Sequence, residues 1–544
     1  MESNRRRSVG PQDDEPDSAR RDGEPARQGR SRDGGETRVT QGGWGQDDAK
    51  TRQRNPGDLL AWVTAAGVRA RVVAKKRRNG RGAKAGQEGG GVNDTRREGR
   101  PTGVTETSKQ VGEARDRWPW VERAVWTERM LAALEVGLEG GKWFSLMDKV
   151  YAPRNLTAAW ERVRSLKGAA GVDGMTVDAF EALKEEALAR LSERLRSGTY
   201  RPRPVRRVYI PKPGSQEKRP IGIPTVEDRI AQTALRNVLT PIFEKKFAEH
   251  SYGFRPGRRC RHALRRVQEL LDRGNTWVVD ADIQSYFDTI PHNRLMKEVE
   301  AEVSDGRVLE LVRLYLGQGV LEGLESWTPE EGTPQGAVIS PLLANIYLHP
   351  ADVEMSISGY EMVRYADDLV VLCRTGAEAQ AALKRLREWM EGRGLTLHPT
   401  KTRIVDATQG GGFGCLGYHF EHGRKTPRKK SLDRMKDTIR AKTKRNNGHA
   451  LSVIITDVNL TLRGWFEYFK HSHKWTFENI DAWVRMRLRS ILRRHQHKRG
   501  RGRGSDHQRW KNAFFKQEGL FTLTEAHAKA VALAHALPVP ARGC

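Results

Sequence analysis

Apolar positions are sparse and aperiodic over residues 1–116, where Gly, Arg, Asp, Glu, Ser and Gln dominate. Such a stretch has too little to bury and is expected to stay disordered. One apolar island, residues 59–73, interrupts it. The pattern changes over residues 117–138, where aromatic and aliphatic residues recur at helical spacing, and it does so again over 155–166. Residues 205–213 read as a strand entering a Pro/Gly turn, 228–247 as a helix, 276–290 as a β-rich run broken by acids, and 308–316 as a helix. "GTPQG" (Gly332 to Gly336) predicts a turn ahead of an apolar helix ending near Leu348, and residues 364–373 predict a hairpin. A strand pair is expected over 413–420, and beyond Lys430 the pattern turns helical and basic to about Arg503. There Phe477, Ile480, Val484, Leu488 and Ile491 form one apolar helical stripe.

Charge narrows the partner. The 544 residues carry 96 Lys and Arg against 68 Asp and Glu, a formal net charge of +28. A field of that size favours a polyanion, and nucleic acid comes first. An acidic membrane surface competes less well, because no apolar run reaches the roughly 18 residues that would suggest a bilayer span. The first residues lack the apolar core of a secretory signal. Cys260, Cys373, Cys415 and Cys544 are scattered with no C-x-x-C pair, which argues against a zinc or redox motif and for a reducing, cytoplasmic setting.

The chemistry concentrates in "RYADDLVVLC", which sets Asp367 and Asp368 at the tip of the expected hairpin. Asp-Asp is ordinary turn chemistry. Two ionised carboxylates a few ångströms apart nevertheless repel, so a proton or a cation must offset one of them. Hard oxygen ligands beside substrate phosphates suit Mg²⁺. A second acidic run, "VVDADIQSYFD", places Asp280 and Asp282 on one face of a β-rich segment, so either can join the hairpin pair across adjacent strands. Two metal ions about 3.5–4 Å apart would activate a 3′-hydroxyl and stabilise a leaving pyrophosphate, a constellation that fits polymerase and nuclease alike.

The blocks "RPIGIPTVEDRIAQ", "SYGFRPGRRCRHAL", "DADIQSYFD", "GTPQGAVISPLLANIYL", "RYADDLVVLC", "GLTLHPTKTRIV" and "GCLGYHF" occur in that order. In this the chain resembles group II intron-encoded reverse transcriptase/maturases over residues 126–527. The resemblance implies an α+β right-hand polymerase with fingers, a palm built on an antiparallel sheet, and a helical thumb. It divides the chain into a disordered basic extension (1–116), fingers and palm (117–425), a maturase-specific domain X serving as thumb (426–500), and a basic nucleic-acid-binding tail (501–544). It implies Asp282, Asp367 and Asp368 as metal ligands for two Mg²⁺ ions, with Mn²⁺ as a possible substitute, and leaves Asp280 a supporting role. By the same match Phe287 lies under the incoming sugar and selects deoxynucleotides, Gln335 meets nucleotide and template, Arg219 and Lys212 grip the dNTP triphosphate, and Lys401 either protonates the pyrophosphate of the dNTP or pairs with a palm acid.

The later blocks "VNLTLRGWFEYFKH" and "WTFENIDAWVRMRLRSILRRHQHKRGRGRG" resemble the maturase-specific region. Arg485, Arg487, Arg489, Arg493 and Arg494 fall off the apolar stripe with few acids among them, which favours contacts to RNA phosphates. The tract "KRGRGRG" suits backbone binding without sequence preference. Many relatives append a nuclease domain with paired Cys and His ligands; "ARGC" closes this sequence without them, which implies a primer made elsewhere, such as a nascent strand at a replication fork. The expected partners are group II intron RNA, target DNA with its primer, and dNTP, with no membrane, at the bacterial nucleoid; the oligomeric state is unassigned. The expected activity is RNA-directed DNA synthesis during retrohoming together with splicing assistance. Competing readings are an RNA-binding maturase with little polymerase activity and another bacterial reverse transcriptase lineage. The intact acidic cluster weighs against the first and the long C-terminal region against the second.

Overall fold

The computed structural model describes residues 118–138, 141–211, 217–498 and 504–536. The extension over 1–116, Lys212 and most of the "KRGRGRG" tract lie outside the described residues. The described strands are β1 (Val205–Pro211), β2 (Lys218–Ile223), β3 (Trp277–Asp282), β4 (Val320–Glu322), β5 (Glu325–Trp327), β6 (Glu361–Tyr365), β7 (Asp368–Cys373), β8 (Arg403–Asp406), β9 (Phe413–Cys415), β10 (Tyr418–Glu421) and β11 (Arg424–Pro427). They form sheets in the orders β2-β1-β4-β5, β6-β7-β3-β8 and β11-β10-β9.

The second sheet is antiparallel throughout and explains the unbroken apolar run "LVVLC". Side chains alternate across a strand. Val279, Ala281, Leu369, Val371 and Cys373 enter a large helical core with Leu342, Ile346 and Leu386. Val278, Val363, Val370 and Leu372 enter a second core with Leu264, Val267, Phe413, Tyr418 and Phe420, beneath helix Cys260–Asp272 and the third sheet. Both faces are covered, so no polar alternation survives in the sequence. At the open end of β3 and β7 the apolar alternation gives way to Asp282 and Asp368.

A third core joins Met435, Ile454, Val458, Phe466 and the predicted stripe Phe477, Ile480, Val484, Leu488 and Ile491, all buried. It extends further than the sequence pattern suggested. Trp510, Phe515, Leu520 and Leu523 are buried in the same cluster, so the segment expected to be a basic tail is in part an integral layer of the helical unit. Burying each such side chain contributes about 1.5–3 kcal/mol, more than electrostatic repulsion among exposed cations opposes. Two other differences are local. Among the described residues the first helix covers only Glu128–Val136, with Trp118 and Trp120 packed edge-on ahead of it at 5.4 Å. The β4–β5 hairpin, in "VLEGLESW", has strands of three residues each, too short for an alternation to signal them. Among the described residues no helix is long and apolar enough to cross a membrane.

Candidate active site

β6 and β7 are joined by a two-residue loop, Ala366 and Asp367, with Tyr365 opposite Asp368. Ala366 has φ 60° while Asp367 does not have a positive φ, the pattern of a II′ hairpin turn at a position that favours glycine. Phe254 (φ 57°) and Ser285 (φ 48°) are also left-handed, in the "SYGFRPG" and "DIQSYFD" blocks. Strained backbone of this kind persists where the surrounding structure over-determines it, and it clusters at functional sites.

The ladder brings the acids together. Asp282 pairs directly with Asp368, whereas Asp280 pairs with Val370. Asp367 and Asp368 are both solvent-exposed at the tip of the hairpin, with their carboxyl groups partly desolvated by the protein around them. Burial, with repulsion from Asp367 and Asp282, pushes Asp368 up to about 7. Burial also raises Asp367, opposed in part by the Arg219 charge. Asp282 instead accepts a hydrogen bond from Lys401 Nζ at 2.8 Å, so an ammonium group already stands on the carboxylate where a metal cation would. Asp280 lies 3.6 Å from Arg403, and burial raises its carboxyl while Arg403 and Arg428 oppose the rise. Among the described residues no three His, Cys, Asp or Glu side chains enclose a metal by themselves. Asp282, Asp367 and Asp368 fit a hard cation that completes its shell with water and substrate phosphate: the oxygens are of the right kind, and Lys401, Arg219 and Arg428 offset their mutual repulsion only in part.

The remaining candidates surround this end of the sheet. Arg219 is exposed on β2, close enough for its charge to act on Asp367. The "GTPQG" loop is fastened beside it: Gly222 N donates to Gln335 O at 2.7 Å and Thr333 N to Phe287 O at 2.6 Å. Gly336 (φ 109°) passes so close to β2 that a Cβ would lie 2.4 Å from Gly222 O. The Gln335 side chain is half-buried. Phe287 packs partly against the main core and meets Phe254 and Tyr286 edge-on at 6.4 and 5.5 Å. His292, the first residue of helix His292–Glu302, has Nε2 2.7 Å from Gly332 O and so braces the loop. Arg428 was not singled out by its sequence, since "PRKK" gives it no distinction from Lys429 and Lys430; its charge nonetheless acts on Asp280 and Asp368.

The five arginines of helix Lys474–His495 separate into two groups. Arg489 is buried, donates to Trp510 O at 3.0 Å and Asn512 Oδ1 at 2.9 Å, and stacks on Phe515. Arg493 pairs with the buried Asp506 at 2.8 Å, and Arg487 donates to Thr443 Oγ1, Thr443 O and Arg440 O. These three hold the helical unit together, which corrects the expectation that they face RNA. Arg494 is exposed and Arg485 half-buried. For Arg489 and Arg493 the cause is the downstream segment 504–536, which folds back over a face that the helical pattern alone left open, whereas Arg487 is taken up by the end of the upstream helix Lys429–Lys442.

Two families match in succession: reverse transcriptase (RNA-dependent DNA polymerase) over residues 210–427, and the group II intron maturase-specific domain over 432–510. Protein YkfC of Escherichia coli is 35% identical over 357 residues, covering 58% of this chain and 92% of that one. The group II intron-encoded protein LtrA of Lactococcus lactis subsp. cremoris is 40% identical over 194 residues, 36% of this chain and 32% of LtrA. A putative COX1/OXI3 intron 1 protein of Saccharomyces cerevisiae is 27% identical over 397 residues, 62% of this chain and 47% of its own length. The chain thus spans nearly all of YkfC, but only about a third of LtrA and about half of the yeast intron protein. Polymerase blocks that converge on one sheet end, with a maturase-specific region directly behind them, make this chain a member of the group II intron-encoded reverse transcriptase/maturase family, RNA-directed DNA polymerases that also serve intron splicing.

Proposed function

We propose that the chain copies group II intron RNA into DNA during retrohoming by phosphoryl transfer at Asp282, Asp367 and Asp368, and that its C-terminal helical unit holds the same RNA for splicing. The observation that carries this reading is the direct opposition of Asp282 and Asp368 at the open end of the sheet. In it the β6-β7-β3-β8 sheet is the palm, the β2-β1-β4-β5 sheet belongs to the fingers, and the core around Phe477 and Leu488 is thumb and domain X.

Enzymes of this family use divalent metal ions. Two Mg²⁺ ions, or Mn²⁺ in their place, would lower the pKa of the primer 3′-hydroxyl and offset charge on the leaving pyrophosphate. The three aspartates hold that charge at the strand ends. Arg219 binds triphosphate oxygens, and a guanidinium on a braced strand suits this by presenting paired donors. Gln335 offers its amide to the sugar or template backbone from a loop whose own carbonyl is fixed to β2. Phe287 closes the floor under the sugar, where a 2′-hydroxyl would collide with the ring. Lys401 leaves Asp282 and turns to the pyrophosphate. Lys212 acts with Arg219 on the triphosphate, and Arg485 and Arg494 meet RNA phosphates. Target DNA and its primer complete the substrate set, in the bacterial cytoplasm at the nucleoid.

Primer extension on an RNA template tests the reading. The double variant Asp367→Ala, Asp368→Ala is expected to lose Mg²⁺-dependent cDNA synthesis while intron RNA binding persists. Unchanged synthesis in that variant overturns it.

A further inference from the structure

Arg364 precedes the Tyr365-Ala366-Asp367-Asp368 turn, and its side chain is 1% exposed. A buried guanidinium must find partners for its donors, and here they are specific. Nε donates to Asp352 Oδ1 at 2.7 Å and Nη2 to Asp352 Oδ2 at 2.5 Å; Nη1 is shared between Asn345 Oδ1 at 2.9 Å and Ala366 O at 3.1 Å. One side chain therefore ends on the carbonyl of the left-handed residue that aims Asp367. The Arg364 backbone is held as well, its N–H donating to His250 O at 3.0 Å and its carbonyl accepting from Tyr252 N at 2.9 Å.

The partners belong to the other blocks of the site. Asn345 and Asp352 sit on helix Ser340–Ile357, directly behind the "GTPQG" loop, and Ser340 Oγ donates back to Pro334 O at 2.9 Å. Asn345 Nδ2 donates to Gly253 O at 2.8 Å. Gly253 in turn lies against the far side of the turn, where a Cβ would come within 2.2 Å of Ala366 N. The turn is thus clamped by Arg364 on one side and Gly253 on the other. Both clamps are referred to the helix that begins at the nucleotide loop.

We infer that Arg364, acting through Asp352 and Asn345, is a positioning residue that keeps Asp367 and Asp368 in register with the Gly332 to Gln335 loop, so that metal ligands and nucleotide contacts move as one frame. This rests on the reading of Asp367 and Asp368 as metal ligands. A lysine can keep the ion pair with Asp352, but its single ammonium lacks the planar fork that reaches Asp352, Asn345 and Ala366 together. Arg364→Lys therefore separates positioning from burial of charge, and Asn345→Ala removes the middle strut without touching the ion pair.

The full-length chain is assayed for kcat, for KM of dNTP, for primer–template affinity, for Mn²⁺ binding without nucleotide by electron paramagnetic resonance, and for thermal stability. Arg364→Lys and Asn345→Ala are expected to fold and to bind primer–template as the parent does, with kcat reduced about 10–100-fold and Mn²⁺ held more weakly, the range found when residues supporting metal ligands are lost. The double variant Arg364→Met, Asp352→Leu replaces the buried pair by apolar residues and should recover stability without recovering kcat. The inference is overturned if Arg364→Lys and Asn345→Ala keep parental kcat and Mn²⁺ affinity, or if the apolar pair restores kcat along with stability. Activity surviving in Asp367→Ala, Asp368→Ala would instead remove the metal-ligand reading beneath it.

Discussion

Asp282 and Asp368 stand opposite one another as the last pair of the β3–β7 ladder, two acids where a cross-strand pair of opposite charge would be the stabilising choice. The arrangement leaves its mark on Asp368, which burial, Asp367 and Asp282 push up to about 7 from an ordinary 3.8. A carboxyl raised in the folded state binds its proton more tightly there than in the unfolded chain. Its contribution to stability is complete below pH 3.8 and is lost as pH rises through about 7. Without metal, the parent protein should lose thermal stability between pH 5 and pH 8 more steeply than Asp368→Asn, and Mg²⁺ should restore it at pH 8. Melting curves in chelator at the two pH values check this, and equal slopes for parent and variant would contradict it.

The Lys401–Asp282 ion pair is predicted to be a placeholder. Both side chains are well exposed, 60% and 37%, so the pair contributes at most about 1 kcal/mol and is readily given up. Lys401→Ala should leave the melting temperature nearly unchanged and lower the Mn²⁺ concentration that half-saturates the protein without substrate. A titration showing weaker Mn²⁺ binding in the variant would mean that the ammonium supports the site instead of competing for it.

Phe287 gives a prediction about sugar choice. Its ring is only partly buried and leans on Phe254 and Tyr286, so truncation should open space at the site with a modest loss of packing. Phe287→Ala is expected to reduce discrimination against ribonucleotides by about tenfold or more, since rejection by shape alone rests on about 1–3 kcal/mol of contact. Incorporation of rNTP against dNTP on one template measures it; an unchanged ratio with reduced stability would return Phe287 to the core.

How far the site can be read from the sequence depends on the range of each interaction. The hairpin and its two acids are local and stand out in "RYADDLVVLC". Alternation groups Asp280 with Asp282 but cannot rank them; the register does, setting Asp282 against Asp368 and Asp280 against Val370, with Arg403 beside it. The apolar stripe from Phe477 to Ile491 follows from helical spacing, and its five members are buried as that spacing predicts. Arg364 gave no such signal, because its partners are set by tertiary folding: Asp352 lies 12 positions away, Asn345 lies 19, and Gly253 enters through Asn345.

The same difference in range separates the arginines of helix Lys474–His495 that are spent inside the fold from those left at the surface. Arg489 and Arg494 look alike in sequence, but Arg489 supports the backbone at Trp510 and the amide of Asn512, while Arg494 is exposed. Arg489→Ala leaves a buried carbonyl and an amide oxygen without their donor, which should cost about 2–3 kcal/mol of stability. Arg494→Ala should leave stability within about 0.5 kcal/mol of the parent, as for most exposed positions, yet weaken intron RNA binding. One lost phosphate contact flattens the slope of log affinity against log salt by about 0.7–0.9. Melting curves and RNA binding over a salt series separate the two effects. If Arg489→Ala instead flattened the salt slope at unchanged stability, the guanidinium would have to leave Trp510 and Asn512 to reach RNA, and the helical unit would be rearranging as it binds.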